Sequence, residues 1–223
     1  MLRKSFLGAA VTAVLLAVSS AAYAATVTAF YSVNGGGLTQ VVDFAPGNDA
    51  LAGFFTAGGF TTNIATSTVT PASSSLMLTN VNSTHTGNTT DTLTVFFLST
   101  GNTPVGSQQF LTGFTQNLGG TSGTLASYIG DSSLTPPALG TLLSSTPYAG
   151  LLSTSFLSSV IVPSDNFSLL AVYNVTATGA ADSNATINIS AVPGPIVGAG
   201  LPGLIMACTG LLVLARRRRK DAI

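Results

Sequence analysis

The sequence predicts an all-β chain: a β-sandwich-like domain with a short helical or loop insertion, a signal peptide before it and one transmembrane helix after it. Three observations carry that expectation. Apolar and polar residues alternate with a period of two through most of the interior. Thr and Val are abundant in the same runs, and β-branched side chains suit a pleated surface. Both ends carry charge-free apolar runs flanked by basic residues.

At the N-terminus, Arg3 and Lys4 precede an apolar stretch at residues 6–18 that is too short for a comfortable membrane span. Ala22-Tyr23-Ala24 then places small residues where a signal peptidase needs them, so residues 1–24 read as a signal peptide cut before Ala25.

Residues 25–191 read as the exported β-rich domain. At 26–33, Val27, Ala29, Tyr31 and Val33 share one face. Gly35-Gly36-Gly37 breaks the run, and residues 38–44 read as a return strand. Further strands are expected near 60–70, 76–81 and 105–114. Residues 91–100 carry Leu93, Val95 and Phe97 on one face and Phe96 and Leu98 on the other, the mark of a strand buried on both sides. Residues 168–178 and 186–190 alternate cleanly around Gly179-Ala180-Ala181-Asp182-Ser183, which predicts a closing hairpin. The stretch 134–160 breaks the pattern: it is rich in Leu, Ala and Ser and interrupted by Pro136, Pro137, Pro147 and Gly150. Short helices around 138–145 and 150–160 are expected there. The total is about eight strands in a sandwich.

The tail, residues 192–220, has three parts. Val192-Pro193-Gly194-Pro195 precedes residues 196–215, 20 residues without a charge, which reach across a hydrocarbon layer of about 30 Å as a helix. Arg216, Arg217, Arg218, Arg219 and Lys220 follow, a cluster that stays on the cytoplasmic side. Pro193 and Pro195 hold the backbone extended, as a protease requires.

This order of proline motif, apolar helix and arginine cluster resembles the PEP-CTERM sorting domain. The family motif usually has Glu where this chain has Gly194. The resemblance implies recognition by an exosortase-type membrane protease in a Gram-negative bacterium that makes exopolysaccharide. It covers only residues 192–220.

Charge excludes several function classes. All seven basic residues lie at the ends, and between Ser5 and Ala215 there is no Lys, Arg or Glu. The interior carries Asp43, Asp49, Asp91, Asp131, Asp165 and Asp182 and the single His85. Such a domain cannot neutralise phosphates, so nucleic acid is not an expected partner. Ser and Thr supply 51 of the 168 residues at 25–192, so solubility must come from hydroxyls and amides. Cys208, alone in the apolar tail, permits no intramolecular disulfide.

Catalytic groups are scarce. His85 sits in the polar segment 83–88 and is expected to be an exposed loop residue. There is no G-x-S-x-G elbow, and the scattered Asp residues do not suggest a carboxylate pair. Zinc is not expected, nor any cofactor; the weaker calcium candidates are Asp43 and Asp49, near Asn48.

The sequence therefore points to a non-enzymatic surface or matrix protein. It is exported, transiently anchored in the inner membrane, and then carried to the cell surface or released. Its expected partners are signal peptidase, an exosortase-like protease, the membrane before processing, exopolysaccharide, and further copies of itself through unguarded strand edges. The alternative is a secreted hydrolase or lyase acting on polysaccharide or ester substrates.

Overall fold

A computed structural model describes residues 26–42, 50–68, 75–102, 108–117, 120–162 and 166–192. They form twelve strands: β1 (Thr26–Val33), β2 (Thr39–Gln40), β3 (Ala50–Ala57), β4 (Phe60–Ser67), β5 (Ser75–His85), β6 (Thr90–Asn102), β7 (Gln108–Gln116), β8 (Thr121–Asp131), β9 (Thr141–Ala149), β10 (Leu152–Val160), β11 (Phe167–Thr178) and β12 (Ala181–Val192). Two six-stranded antiparallel sheets result, ordered β2-β1-β6-β11-β8-β9 and β10-β7-β12-β5-β4-β3.

The sheets face each other across one core. From the first sheet come Ala29, Leu93, Val95, Phe97, Leu125, Leu169, Tyr173 and Val175; from the second come Phe60, Met77, Val81, Phe110, Phe114, Ile187 and Ile189. Each Phe placed there contributes about 1.5–3 kcal/mol of transfer free energy. β6 fulfils its sequence signature. Phe96 and Leu98 on its outer face join Leu170 in a second small cluster, against which Leu38, Tyr128 and Leu134 pack.

Polar contacts tie the sheets inside the core. Thr112 on β7 meets Ser127 on β8 at 3.0 Å, and Ser127 meets Ser144 on β9 at 3.0 Å. Tyr173 on β11 donates to Ser183 on β12 at 2.5 Å, and Gln116 Nε2 donates to the same hydroxyl at 2.7 Å. Burial without charge raises the Tyr173 phenol well above its usual 10 and pushes Tyr148 up to about 12.

The expected count of about eight strands falls short of the twelve formed, because β3, β8, β9 and β10 lie where no strand was expected, and three placements also need correction. The stretch 134–160 holds no helix: it forms β9 and β10, which are the edge strands of opposite sheets. Pro147 sits in β9 because an edge strand has one row of amides that no neighbour requires. Gly150, at φ 103°, makes the turn between them. Second, β11 and β12 are not a hairpin. The turn at Gly179 and Ala180 passes from one sheet to the other, and both strands are central. Third, the return strand expected at 38–44 is only the two-residue β2 within the described residues.

Among the described residues no helix is long and apolar enough to cross a membrane. The signal peptide with Ala22, Ala24 and Ala25, the apolar run 196–215 and the basic cluster 216–220 lie outside the described residues.

Candidate functional site

The chain's one imidazole organises one end of the sandwich. His85 is the last residue of β5 and points inward, 1% exposed, where an exposed loop position was expected. Alternation explains the reversal: β5 runs five residues past 80, so Met77, Thr79, Val81, Ser83 and His85 all face the core.

The ring of His85 is held on every side. Its Nδ1 lies 2.7 Å from the Gly179 carbonyl oxygen in the β11–β12 turn, and since a carbonyl only accepts, Nδ1 donates. Its Nε2 lies 3.1 Å from Asp91 Oδ2 near the start of β6. That contact is an N–H donor to a carboxylate when the ring carries both protons. Phe60 tilts against the imidazole with centroids 4.6 Å apart. Gly59, at φ 76°, passes so close that a Cβ would come within 2.8 Å of Nε2.

Asp91 is the hub of the cluster. Thr89 Oγ1 donates to its Oδ2 at 2.7 Å and Asn34 Nδ2 to its Oδ1 at 2.8 Å. The hydrogen bond from Asn34, then those from Thr89 and His85, hold the carboxyl at about 2 against an ordinary 3.8. Asn34 is itself fixed, because its Oδ1 accepts from the Thr92 backbone N–H and its backbone N–H donates to the Thr92 carbonyl, both at 2.8 Å. Its φ of 51° is one that asparagine tolerates. Four loops, those after β1, β3, β5 and β11, thus converge on two side chains.

This arrangement can hold loops together but offers little to a substrate. Both ring nitrogens are engaged and the ring is buried. Apart from the six-residue separation of His85 and Asp91, no sequence signal pointed to the pairing, although Gly59 and Gly87 mark the close approaches.

Of the other predicted positions, Val192 ends β12, paired with Gln109 of β7. Pro193, Gly194, Pro195, Asp43, Asn48 and Asp49 lie outside the described residues. Among the described residues no group of three or more His, Cys, Asp or Glu side chains is placed to hold a metal ion. Asp131 is lowered from its usual value by the side chain and then the backbone amide of Ser133, a local turn contact.

No family model matches the chain, and no curated protein matches it in sequence. Among solved structures it is similar to TmCBM61 in complex with beta-1,4-galactotriose, at TM-score 0.33 and 11% identity over 68% of this chain and 91% of that one. It is also similar to the enzymatically active domain of tailspike protein 4 of bacteriophage CBA120, at TM-score 0.33 and 13% identity. A third is the arabinose-bound MgGH51 α-L-arabinofuranosidase, at TM-score 0.32 and 13% identity. These last two are matched over 60% of this chain but only 20% and 23% of their own lengths. Likenesses this distant carry no argument about activity.

Proposed function

We propose that this chain is an exported, non-enzymatic surface or matrix protein. It is delivered through the PEP-CTERM-like tail at 192–220, cut by an exosortase-like protease, and held in or released into an exopolysaccharide layer. The charge map carries this reading. Every basic residue sits in an end segment that processing removes, and the sandwich between them has no Lys, Arg or Glu. A coat of hydroxyls and amides stays hydrated and meets a polyol through hydrogen bonds that donate and accept equally.

The hydrolase or lyase alternative rests on His85 and Asp91. We read that pair as a loop clamp, because the Gly179 carbonyl and the Asp91 carboxylate already occupy both ring nitrogens. The edge strands β3 and β10 also carry no charged side chain within their bounds, which leaves them open to pairing with further copies.

Fractionation of cells producing the native chain, and of cells producing a chain lacking residues 192–220, tests the delivery. The native protein is expected with the surface exopolysaccharide and the truncated one in soluble periplasmic or medium fractions. Equal distribution of the two would remove the role given to the tail.

A further inference from the structure

The outer face of the second sheet is assembled from side chains that alternate with the buried core positions, and its register places amides in rows. Asn63 on β4 pairs with Asn82 on β5, and Asn82 with Asn184 on β12. Asn117, just beyond β7, donates from Nδ2 to Asn184 Oδ1 at 3.1 Å. This row of four amides crosses the strands at about 4.8 Å per strand. The next row is Thr115, Thr186 and Asn80, with Asn80 Nδ2 donating to Thr186 Oγ1 at 3.1 Å. The row after that is Ser155, Gly113, Asn188 and Leu78.

Six of the chain's twelve asparagines thus lie on or beside this one face, so the pattern is not a uniform property of a polar surface. Asparagine is disfavoured in strands, and its concentration here runs against local propensity. Among the described residues of these rows there is no ionisable group; Asp182 lies one row outside, exposed.

The face is also hollowed. Gly113 lies on a central strand where a Cβ would meet nothing within 4 Å. Around it a groove of about 500 Å³ opens, lined by Leu78, Thr115, Ser155, Thr186 and Asn188 among others. That volume is of the size that holds a small ligand, within about 300–1,000 Å³. Its walls pair amides and hydroxyls with one exposed leucine, Leu78, which is 42% exposed.

We propose that this face is a binding site for a neutral polysaccharide chain, with Gly113 as the floor and the Asn184–Asn82–Asn63 row as its extension. The assignment rests on the exopolysaccharide association proposed above and gives it a location. An uncharged face matches an uncharged polymer. An Asn amide supplies two donors and an acceptor, the set that vicinal hydroxyls of a sugar require. Leu78 meets the apolar face of a pyranose. Exposed Phe54, which continues the Asn63 row, and the Leu111–Leu157 pair beside the groove add apolar side chains at the two ends of the polar rows, where a protein partner would call for a continuous apolar centre. An acidic polymer would call for Lys or Arg, which the rows lack.

The test uses the protein recovered from the producing cells, run in native gels containing dextran, galactan, alginate or those cells' own exopolysaccharide. Gly113→Leu puts a side chain into the groove from a position whose Cβ would meet nothing within 4 Å, and its melting temperature should stay that of the native protein. Asn82→Ala removes part of the row, and Ser122→Leu on the opposite sheet is the control. The native protein should be retarded by a neutral polymer and not by alginate, with Gly113→Leu weakening binding by about tenfold or more and Ser122→Leu leaving it unchanged. Retardation undiminished in both Gly113→Leu and Asn82→Ala overturns this face while leaving the exopolysaccharide association standing. Preference for alginate overturns the neutral ligand. No retardation of the native protein by any polymer overturns both the face and the association.

Discussion

At the scale of single residues, Asp91 ties local chemistry to stability. Its carboxyl sits at about 2 when folded against 3.8 for a free side chain. A depressed carboxyl adds stability above its unfolded value, and that stability is lost as the pH falls from about 3.8 through about 2. Asp91→Asn should therefore flatten the acid limb of thermal stability between pH 4 and pH 2, leaving a residual slope from Asp131. Melting curves of the two proteins falling in parallel across that window would contradict the assignment. For His85→Ala, the Gly179 carbonyl loses its donor and Asp91 its contact with the ring, and the expected cost is about 1–3 kcal/mol in urea unfolding. If the clamp reading holds, the variant loses stability and no hydrolysis of polysaccharide or ester is lost with it. Neither effect was legible in the sequence, because a six-residue separation across a loop says nothing about which side chains meet.

At the scale of elements, the period-two pattern located most of the strands that lie deep in the sandwich but missed β8, whose Leu125 and Ile129 face the core between Gly123 and Gly130. β1 matches its expected bounds, and β6, β11 and β12 follow from alternation or from burial on both faces. Phe97→Ala on central β6 should cost about 3–5 kcal/mol, a loss that chemical unfolding measures directly. The edges were harder to read. β9 and β10 each face a neighbour on one side only, so Pro147 is tolerated and the Ser-rich β10 loses the clean apolar face of a core strand. Pairing was also out of reach, since a tight turn reads alike whether it closes a hairpin or crosses between sheets. An edge without charges predicts concentration-dependent association through β10. Leu157→Lys should lower the weight-average mass in sedimentation, and an unchanged mass would remove β10 from the interface.

At the scale of the whole molecule, the sequence map of charges and the sandwich describe one design: a body with six aspartates and no Lys or Arg, between two basic, apolar ends. The ends and their order were legible because charge and hydropathy are read directly from residues. The amide rows were not, since they exist only once the register of four strands is set. The same map predicts that trypsin finds no site between Ser5 and Ala215, so the folded and the unfolded domain should both survive it intact. A cut near Pro193 would also leave β12 whole, since that strand ends at Val192.

Removal of both ends is tested by the intact mass and terminal sequence of the protein collected from outside the producing cells. It requires a chain that starts at Ala25 and ends near Pro193. Only full-length molecules, still carrying Arg216 to Lys220 at their C-terminus, would contradict it.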